Sequence, residues 1–307
     1  MIQIIAEVGS CWRSIDDCML SISLAKQSGA DAVKFQHFTS AELYGFDEPF
    51  VKSGIPSEWL PKLAEKAKAC GIEFMCSAFS EAGVDRVDPY VKRHKIAASE
   101  ATWLPFLAHV AGKGKPVVIT LGHLSQSQQK ASLSALAASP EVITLYGEPE
   151  YPCRDYNLNC MLEMASASVL KFGLSDHSTS TYALAIEAAR LGATIVEKHV
   201  QFVDGHFADT CVSISGDQFA KLVRAVKHGD KHVHAERFDY VHKYARRLVA
   251  ITDIAANEEL KNGENYGAFR LLSPDTSGLP PWSDVDGRRA GKSIERGSAI
   301  GPTDISP

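Results

Sequence analysis

Residues 3–36, QIIAEVGSCWRSIDDCMLSISLAKQSGADAVKFQ, hold the unit whose repetition decides the fold. An apolar, β-branched run (Gln3–Val8) is followed by a segment of helical period (Ser14–Gln27), a glycine (Gly29) and a second run (Ala32–Gln36). The same rhythm continues to about residue 235. Further strands are expected at Ile72–Ser77, Lys95–Ala98, Pro116–Leu121, Val142–Tyr146, Leu170–Leu174 and Thr194–Val200. Helices are expected at Glu58–Ala69, Glu81–Val87, Leu104–Gly112, Ser125–Ala138, Asn157–Ala165, Thr181–Leu191 and Gly216–His228. Successive βα units specify a parallel sheet, and runs apolar on both faces suit a sheet covered by helices. Eight such units in about 235 residues match an α/β fold of the (β/α)8 TIM-barrel kind. A doubly wound open sheet is the alternative, but the turn after the first strand, Gly9–Ser10–Cys11, lacks the GxGxxG pattern. Gly29, Gly71 and Gly192 each stand between a helix and a strand, where a left-handed residue closes the helix.

The texture changes after Phe238, where a basic stretch, His242–Arg247, leads into short strand-like pieces broken by Gly, Pro and Asn. The expected organisation is a barrel domain over residues 1–235, a linker over 236–246 and a small, mainly β domain over 247–307. Two segments of that domain look alike: VAITDIAANEEL (Val249–Leu260) and AGKSIERGSAI (Ala290–Ile300) each carry an isoleucine, a polar turn and a closing aliphatic residue. Ser273–Trp282, SPDTSGLPPW, reads as a loop. At about 60 residues such a domain is marginal alone and is expected to dock on something.

The 307 residues include 32 Lys+Arg and 37 Asp+Glu, a formal charge of −5, with no long basic run. Nucleic acid and anionic membrane are therefore not expected as partners. No apolar stretch approaches bilayer length, and Met1 runs straight into a strand-like IQIIAEV, so a cytoplasmic location is expected. Seven cysteines, an odd number without a CxxC pair, favour reduced thiols.

Barrel enzymes act at the C-terminal ends of their strands. Those ends carry Glu7, then Lys34, Gln36 and His37, then Cys76 and Ser77, then Lys95, Ser99 and Glu100. Next come Thr120 and His123, then Glu148, Glu150 and Tyr151, then Ser175, Asp176 and His177, and last Glu197, Lys198 and His199. Lys34, Lys95 and Lys198 could converge on a phosphate or carboxylate, with Ser77, Thr120 and Ser175 as neutral donors; alternatively each pairs with a carboxylate or snorkels to the rim. His177 and His199 could bind Mn²⁺, Fe²⁺ or Zn²⁺, or serve structural or acid–base roles. Glu7 and Glu100 could be general acid and base or hold a sugar hydroxyl; the alternative is an ion pair with Lys34 or Lys95. Cys11 and Cys76 lack the histidine arrangement of a thiol nucleophile.

At these residues the chain resembles the sialic acid (N-acetylneuraminate) synthase family. IIAEVGS (Ile4–Ser10), GADAVKFQ (Gly29–Gln36), GIEFMCSAF (Gly71–Phe79), KIAASE (Lys95–Glu100) and GKPVVITLG (Gly114–Gly122) are similar to its first five strands. Tyr151, Pro152, Asn157 and Leu158 resemble the segment after the sixth; GLSDHS (Gly173–Ser178) and EKH (Glu197–His199) are the most specific pieces. The resemblance implies condensation of phosphoenolpyruvate with the open-chain aldehyde of an N-acylated hexosamine or related sugar, giving a nonulosonic acid and phosphate for surface polysaccharide. It implies a divalent metal, Mn²⁺ or Mg²⁺, on His177 and His199. It implies a phosphoenolpyruvate set of Lys34, Ser77, Lys95, Thr120 and Ser175, with Lys34, Lys95, Glu7 and Glu100 catalytic. Gln36, Tyr151, Asp209 and Arg270 would face the sugar. The C-terminal domain is similar to the family's antifreeze-protein-like (SAF) domain, which implies a domain-swapped homodimer.

The chain departs from the family pattern at several places. Cys11-Trp12 stands for Asn-His, Ala98 for a serine, and Tyr146-Gly147 for His-Cys. Pro149 replaces a polar residue, His206–Asp209 (HFAD) replaces Pro-Gly-Pro-Asp, and Ser273 replaces an arginine for which the nearby Arg270 can substitute. These departures imply a divergent member acting on a different sugar, or one lacking the N-acetyl group. Two other readings compete. A synthase for a phosphorylated aldose would want an additional basic cluster, which the sequence lacks. A catalytically degenerate sugar-binding barrel is opposed by retention of Glu7, Lys34, Lys95, His177 and His199 together.

Overall fold

The computed structural model describes residues 2–44, 54–122, 124–153, 156–166, 170–178, 182–228, 247–269, 278–279 and 283–306. Eight parallel strands follow one another: β1 (Gln3–Gly9), β2 (Ala32–His37), β3 (Glu73–Ala78), β4 (His94–Ile96), β5 (Val117–Thr120), β6 (Val142–Tyr146), β7 (Lys171–Asp176) and β8 (Ile195–Gln201). Each pairs with the next, and β1 pairs with β8 from Gln3↔Ile195 to Glu7↔His199. That last pairing closes the sheet into a barrel and excludes the open-sheet alternative. β4 is shorter than expected: Ala97 leaves the ladder and Ala98–Glu100 turns as a 3₁₀ helix.

Helices occupy the crossovers, from Ile15–Gln27 through Leu60–Cys70, Glu81–Val87, Leu104–Ala111, Gln126–Ala135 and Leu158–Ser166 to Ala183–Arg190. Gly216–His228 follows the last strand. Ser14, Ser80 and Ser125 stand at helix starts, and each side chain accepts a first-turn backbone N–H that would otherwise lack a partner. Gly29, Gly71 and Gly192 take the left-handed conformation expected of them, with φ of 86°, 66° and 89°.

Strand periodicity positions the site. Side chains alternate between the helix-facing side and the barrel interior. Ile5, Ala32, Met75, Val118, Ile143, Leu145 and Ile195 form a small apolar cluster separate from the main core, one inward layer of the barrel. Two residues further along the same strands come Glu7, Lys34, Ser77, Thr120 and Glu197. The layer above the apolar plug is therefore polar, and it opens toward the strand ends.

Two compact units are distinguished, residues 1–236 and 237–307. In the second, Arg247–Ala250 pairs antiparallel with Tyr266–Phe269. The two look-alike segments pair with each other about Ile254 and Ile294, which exchange both backbone hydrogen bonds at 2.9 Å. Asn257 and Gly297 fall at equivalent places, three residues after those isoleucines, and both have positive φ (67° and 84°). The pseudo-repeat is thus a structural one. Leu248, Ile254, Leu260, Ile294 and Ile300 contribute to its core. The linker over 236–246 and most of Ser273–Trp282 lie outside the described residues.

Candidate active site

A cavity of about 320 Å³ opens at the C-terminal ends of the strands. That is the lower end of the range for small-molecule sites. Glu7, Lys34, Gln36, Ser77, Lys95, Thr120, Tyr151, Ser175, His177, His199 and Asp209 all line it. Eleven sequence-predicted site residues, drawn from most of the strands, are brought together in one place.

The floor is an alternating chain of charge. Lys34 Nζ lies 2.9 Å from Glu7 Oε2 and 3.6 Å from Glu197 Oε2, and Lys95 Nζ lies 3.5 Å from Glu197 Oε1. Lys34 also donates to Ser77 Oγ and Lys95 to Thr120 Oγ1, each at 3.2 Å. Gln36 Nε2 donates to Glu7 Oε1 at 3.2 Å. All four charged groups are buried. Burial pushes the Glu7 carboxyl up to about 7, against the pull of the Lys34 ammonium. Burial acts against the Lys34 ammonium too, but Glu197 and Glu7 outweigh it and its pKa rises. For Lys95 burial prevails and the pKa falls. Glu197 is held below its ordinary value, because Lys34 and Lys95 together overcome its burial. The ion-pair alternative considered for Glu7 is therefore present, inside the cavity rather than instead of it.

His177 and His199 face each other with ring centroids 5.6 Å apart. His177 Nδ1 contacts the Glu148 carbonyl, which can only accept, so Nδ1 carries the hydrogen and Nε2 is left as a lone-pair donor. The Tyr151 hydroxyl lies 3.3 Å from His177 Nε2 and 3.2 Å from His199 Nε2, so both nitrogens aim at one point. Burial lowers the pKa of both rings, that of His199 strongly, and keeps them neutral. Neutral imidazole nitrogens converging on a point suit a divalent cation. Among the described residues no third His, Cys, Asp or Glu completes a metal cluster, so the chain offers two donors.

Gly9 brings the far side together. Its φ is +54°, and a Cβ there would sit 2.2 Å from Asp209 Oδ2. Asp209 is docked on this turn: its Oδ2 accepts from the Ser10 N–H at 2.8 Å, and Ser10 Oγ accepts from the Asp209 N–H at 3.0 Å. Gly9→Ala is expected to cost about 1–3 kcal/mol of backbone strain and to displace Asp209. A thermal melt should show a lower Tm, and turnover should fall more than tenfold; a variant with wild-type turnover would remove Asp209 placement from the account.

The remaining strand-end residues lie elsewhere, and for Lys198 this corrects the expectation that it joins the lysine cluster. Lys198 does not join the lysine pair: it points to the helix side of β8, fully buried, 3.0 Å from Asp176 Oδ1 and bonded to the Ser178 carbonyl. Asp176 is likewise on the outer face. Glu100 is not among the residues lining the cavity; its carboxylate accepts from Ser99 Oγ at 2.7 Å, and burial raises its pKa. Burial pushes the Cys76 thiol up, which leaves no thiolate to attack. Arg270, Ser273 and His123 lie outside the described residues. Glu197 was legible as a strand-end residue and as part of EKH, and its place between the lysines emerges from the geometry. Phe79, Ala97, Ala98 and Pro149 give the wall an apolar portion.

The model of the NeuB family matches residues 21–236. The chain belongs to the NeuB family. Pseudaminic acid synthase of Campylobacter jejuni is 28% identical over 95% of this chain and 93% of its own length. N,N'-diacetyllegionaminic acid synthase of Legionella pneumophila is 26% identical over 90% and 86%. The crystal structure of N-acetylneuraminic acid (sialic acid) synthetase from Leptospira borgpetersenii superposes with a TM-score of 0.67 at 26% identity, over 73% of this chain and 82% of that one. This NeuB-family chain is thus a sialic-acid-synthase-type condensing enzyme. Its reaction is of the nonulosonic acid synthase kind. Synthases of the family are generally metal-dependent. No helix among the described residues is long and apolar enough to cross a membrane.

Proposed function

We propose that the enzyme condenses phosphoenolpyruvate with the open-chain aldehyde of an N-acylated hexosamine or related sugar, giving a nonulosonic acid and inorganic phosphate for surface polysaccharide. The observation that carries this reading is the two-sided cavity. One side presents the Lys34 and Lys95 ammonium groups with the Ser77, Thr120 and Ser175 hydroxyls, a donor set for phosphate and carboxylate. The other presents two imidazole nitrogens aimed at one point.

His177 and His199 would hold Mn²⁺ or Mg²⁺, which when bound supplies Lewis-acid polarisation of the aldehyde. The chain's own groups do the rest. Lys34 and Lys95 hold the enol phosphate so that C3 faces the carbonyl, and Gln36, Tyr151 and Asp209 orient the sugar. Bond formation from C3 opens the aldehyde C=O, whose oxygen takes a proton from solvent, and leaves positive charge at C2. Glu7, as carboxylate, faces that charge and orients the water that adds there, taking its proton. The tetrahedral carbon then expels phosphate by C–O cleavage as its hydroxyl proton passes to the departing phosphate, and the two ammonium groups stabilise the departing charge.

Lys34 and Lys95 are the cationic side chains lining the cavity among the described residues, apart from any protonated histidine, and both are engaged by this one substrate. That supports an acceptor sugar without a phosphate. The test is phosphate release from phosphoenolpyruvate with Mn²⁺ across a panel of hexosamines, hexoses and their phosphates. Release with an unphosphorylated aldose is expected. Release with none would sink the synthase reading, and release with a sugar phosphate alone would replace the acceptor.

The Glu7 role sets a pH dependence. The carboxylate form is needed, and its pKa is about 7. kcat/KM is therefore expected to fall below pH 7, approaching tenfold per unit. Glu7→Gln should lower kcat/KM at pH 8 and abolish that acid limb. An unaltered limb in the variant would assign it to another group.

A further inference from the structure

Glu197 stands on the cavity floor with one carboxylate between two ammonium groups. Oε1 is 3.5 Å from Lys95 Nζ and Oε2 is 3.6 Å from Lys34 Nζ. Ser175 Oγ donates to Oε1 at 3.1 Å and so tethers the carboxylate from the neighbouring strand. These spans are longer than a direct N–H···O bond, so neither ammonium is locked onto Glu197.

The two lysines depend on Glu197 unequally. Lys34 has a second carboxylate, Glu7, at 2.9 Å. Lys95 has no second carboxylate within ion-pair distance among the described residues; its other partners are Thr120 Oγ1 on β5 and the Ile96 carbonyl. The charged and titratable groups that act on it include Glu197 and the neutral His199 on β8, Lys34 on β2, Glu7 on β1, the neutral His177 on β7 and Glu100 on the 3₁₀ turn after β4. Burial and the Lys34 charge both oppose the Lys95 ammonium, and Glu197 is the strongest influence in its favour.

We propose that Glu197 is a positioning residue whose tethered carboxylate balances the Lys95 ammonium and, with Glu7, holds the Lys34 and Lys95 ammonium groups at a fixed span, so that together they grip the anionic groups of an enol phosphate. The identity of that anion rests on the function proposed above; the state of the lysines does not.

The experiment reads the lysines in the substrate-free protein. A small acetylating reagent is applied at pH 8, and the rates at Lys34 and Lys95 are followed by mass spectrometry of their peptides. In Glu197→Gln the Lys95 rate should rise about tenfold, the effect of one pKa unit on the amine fraction. The Lys34 rate should rise less, because Glu7 remains at 2.9 Å. Glu197→Asp should return Lys95 toward wild type, and phosphoenolpyruvate binding by calorimetry should weaken about tenfold in Glu197→Gln, matching the lost charge. Ser175→Ala, which removes the tether together with a hydroxyl 3.3 Å from His177 Nε2, should shift Lys95 in the substrate-free protein in the same direction by less, and that rate carries the test if Glu197→Gln does not fold. An unchanged Lys95 rate, or an equal rise at both lysines, overturns the proposal. A Lys95-specific rise in an enzyme that never turns over phosphoenolpyruvate would sink the synthase reading and leave the role of Glu197 standing.

Discussion

Replacing His199 with alanine is expected to lower kcat/KM by about 10³-fold, the consequence of losing about 4 kcal/mol of carbonyl polarisation. The residue is buried, and its Nε2 is one of two aimed at the Tyr151 hydroxyl. Two protein donors would leave no redundancy: with one imidazole the cation would have a single anchor, and the described residues offer no His, Cys, Asp or Glu cluster to replace it. The readout that separates this from simple damage is metal binding itself. Titration of the free Mn²⁺ electron-spin signal should show loss of the tight site in His199→Ala and in His177→Ala, with circular dichroism unchanged. A wild-type Mn²⁺ titration in either variant would remove that imidazole from the ligand set.

The second large effect is on stability. Lys34→Met keeps the length of the side chain and removes its charge, which leaves Glu7 and Glu197 buried with one ammonium between them. Removing one partner of a buried pair costs about 3–5 kcal/mol, or a Tm lower by on the order of 10 °C in a unit this size. The sign with pH follows from the carboxylates. A carboxyl whose folded pKa lies above its unfolded value destabilises the fold above the folded pKa, and the penalty vanishes as pH falls below the unfolded one. Glu7 is already raised from 4.5 to about 7 and would rise further without Lys34. The Tm deficit should therefore be largest at pH 8 and shrink toward pH 5. Adding Glu7→Gln to Lys34→Met should recover part of it at pH 8. A deficit that is flat with pH would mean lost packing rather than a stranded charge.

The barrel was legible because alternating strand and helix periods repeat eight times, and each of Gly29, Gly71 and Gly192 marks a helix stop with positive φ. The site was legible as far as the rule of strand ends reaches. What misled was parity. Lys198 and His199 are neighbours, and neighbours on a strand face opposite sides. His199 shares the face of Ile195, which is in the barrel interior, so Glu197 shares it too and Lys198 cannot. Counting by twos from the apolar residues would have exchanged Lys198 for Glu197. Glu100 sits apart from the cavity lining for another reason: β4 ends at Ile96, and the 3₁₀ turn over Ala98–Glu100 breaks the strand period before it. The convergence of both imidazoles on Tyr151 depends on the loop after β6, whose path no period encodes.

The seam between β1 and β8 has a bearing on how the molecule comes into being. Glu7 and His199 are register partners on adjacent strands although 192 positions separate them along the chain. During translation the first strand must wait, with one edge unpaired, until the eighth has left the ribosome, and such long-range closure is slow. No shorter nascent fragment has both halves of the cavity floor, so the cavity is completed at a single moment, when the ring of strands shuts.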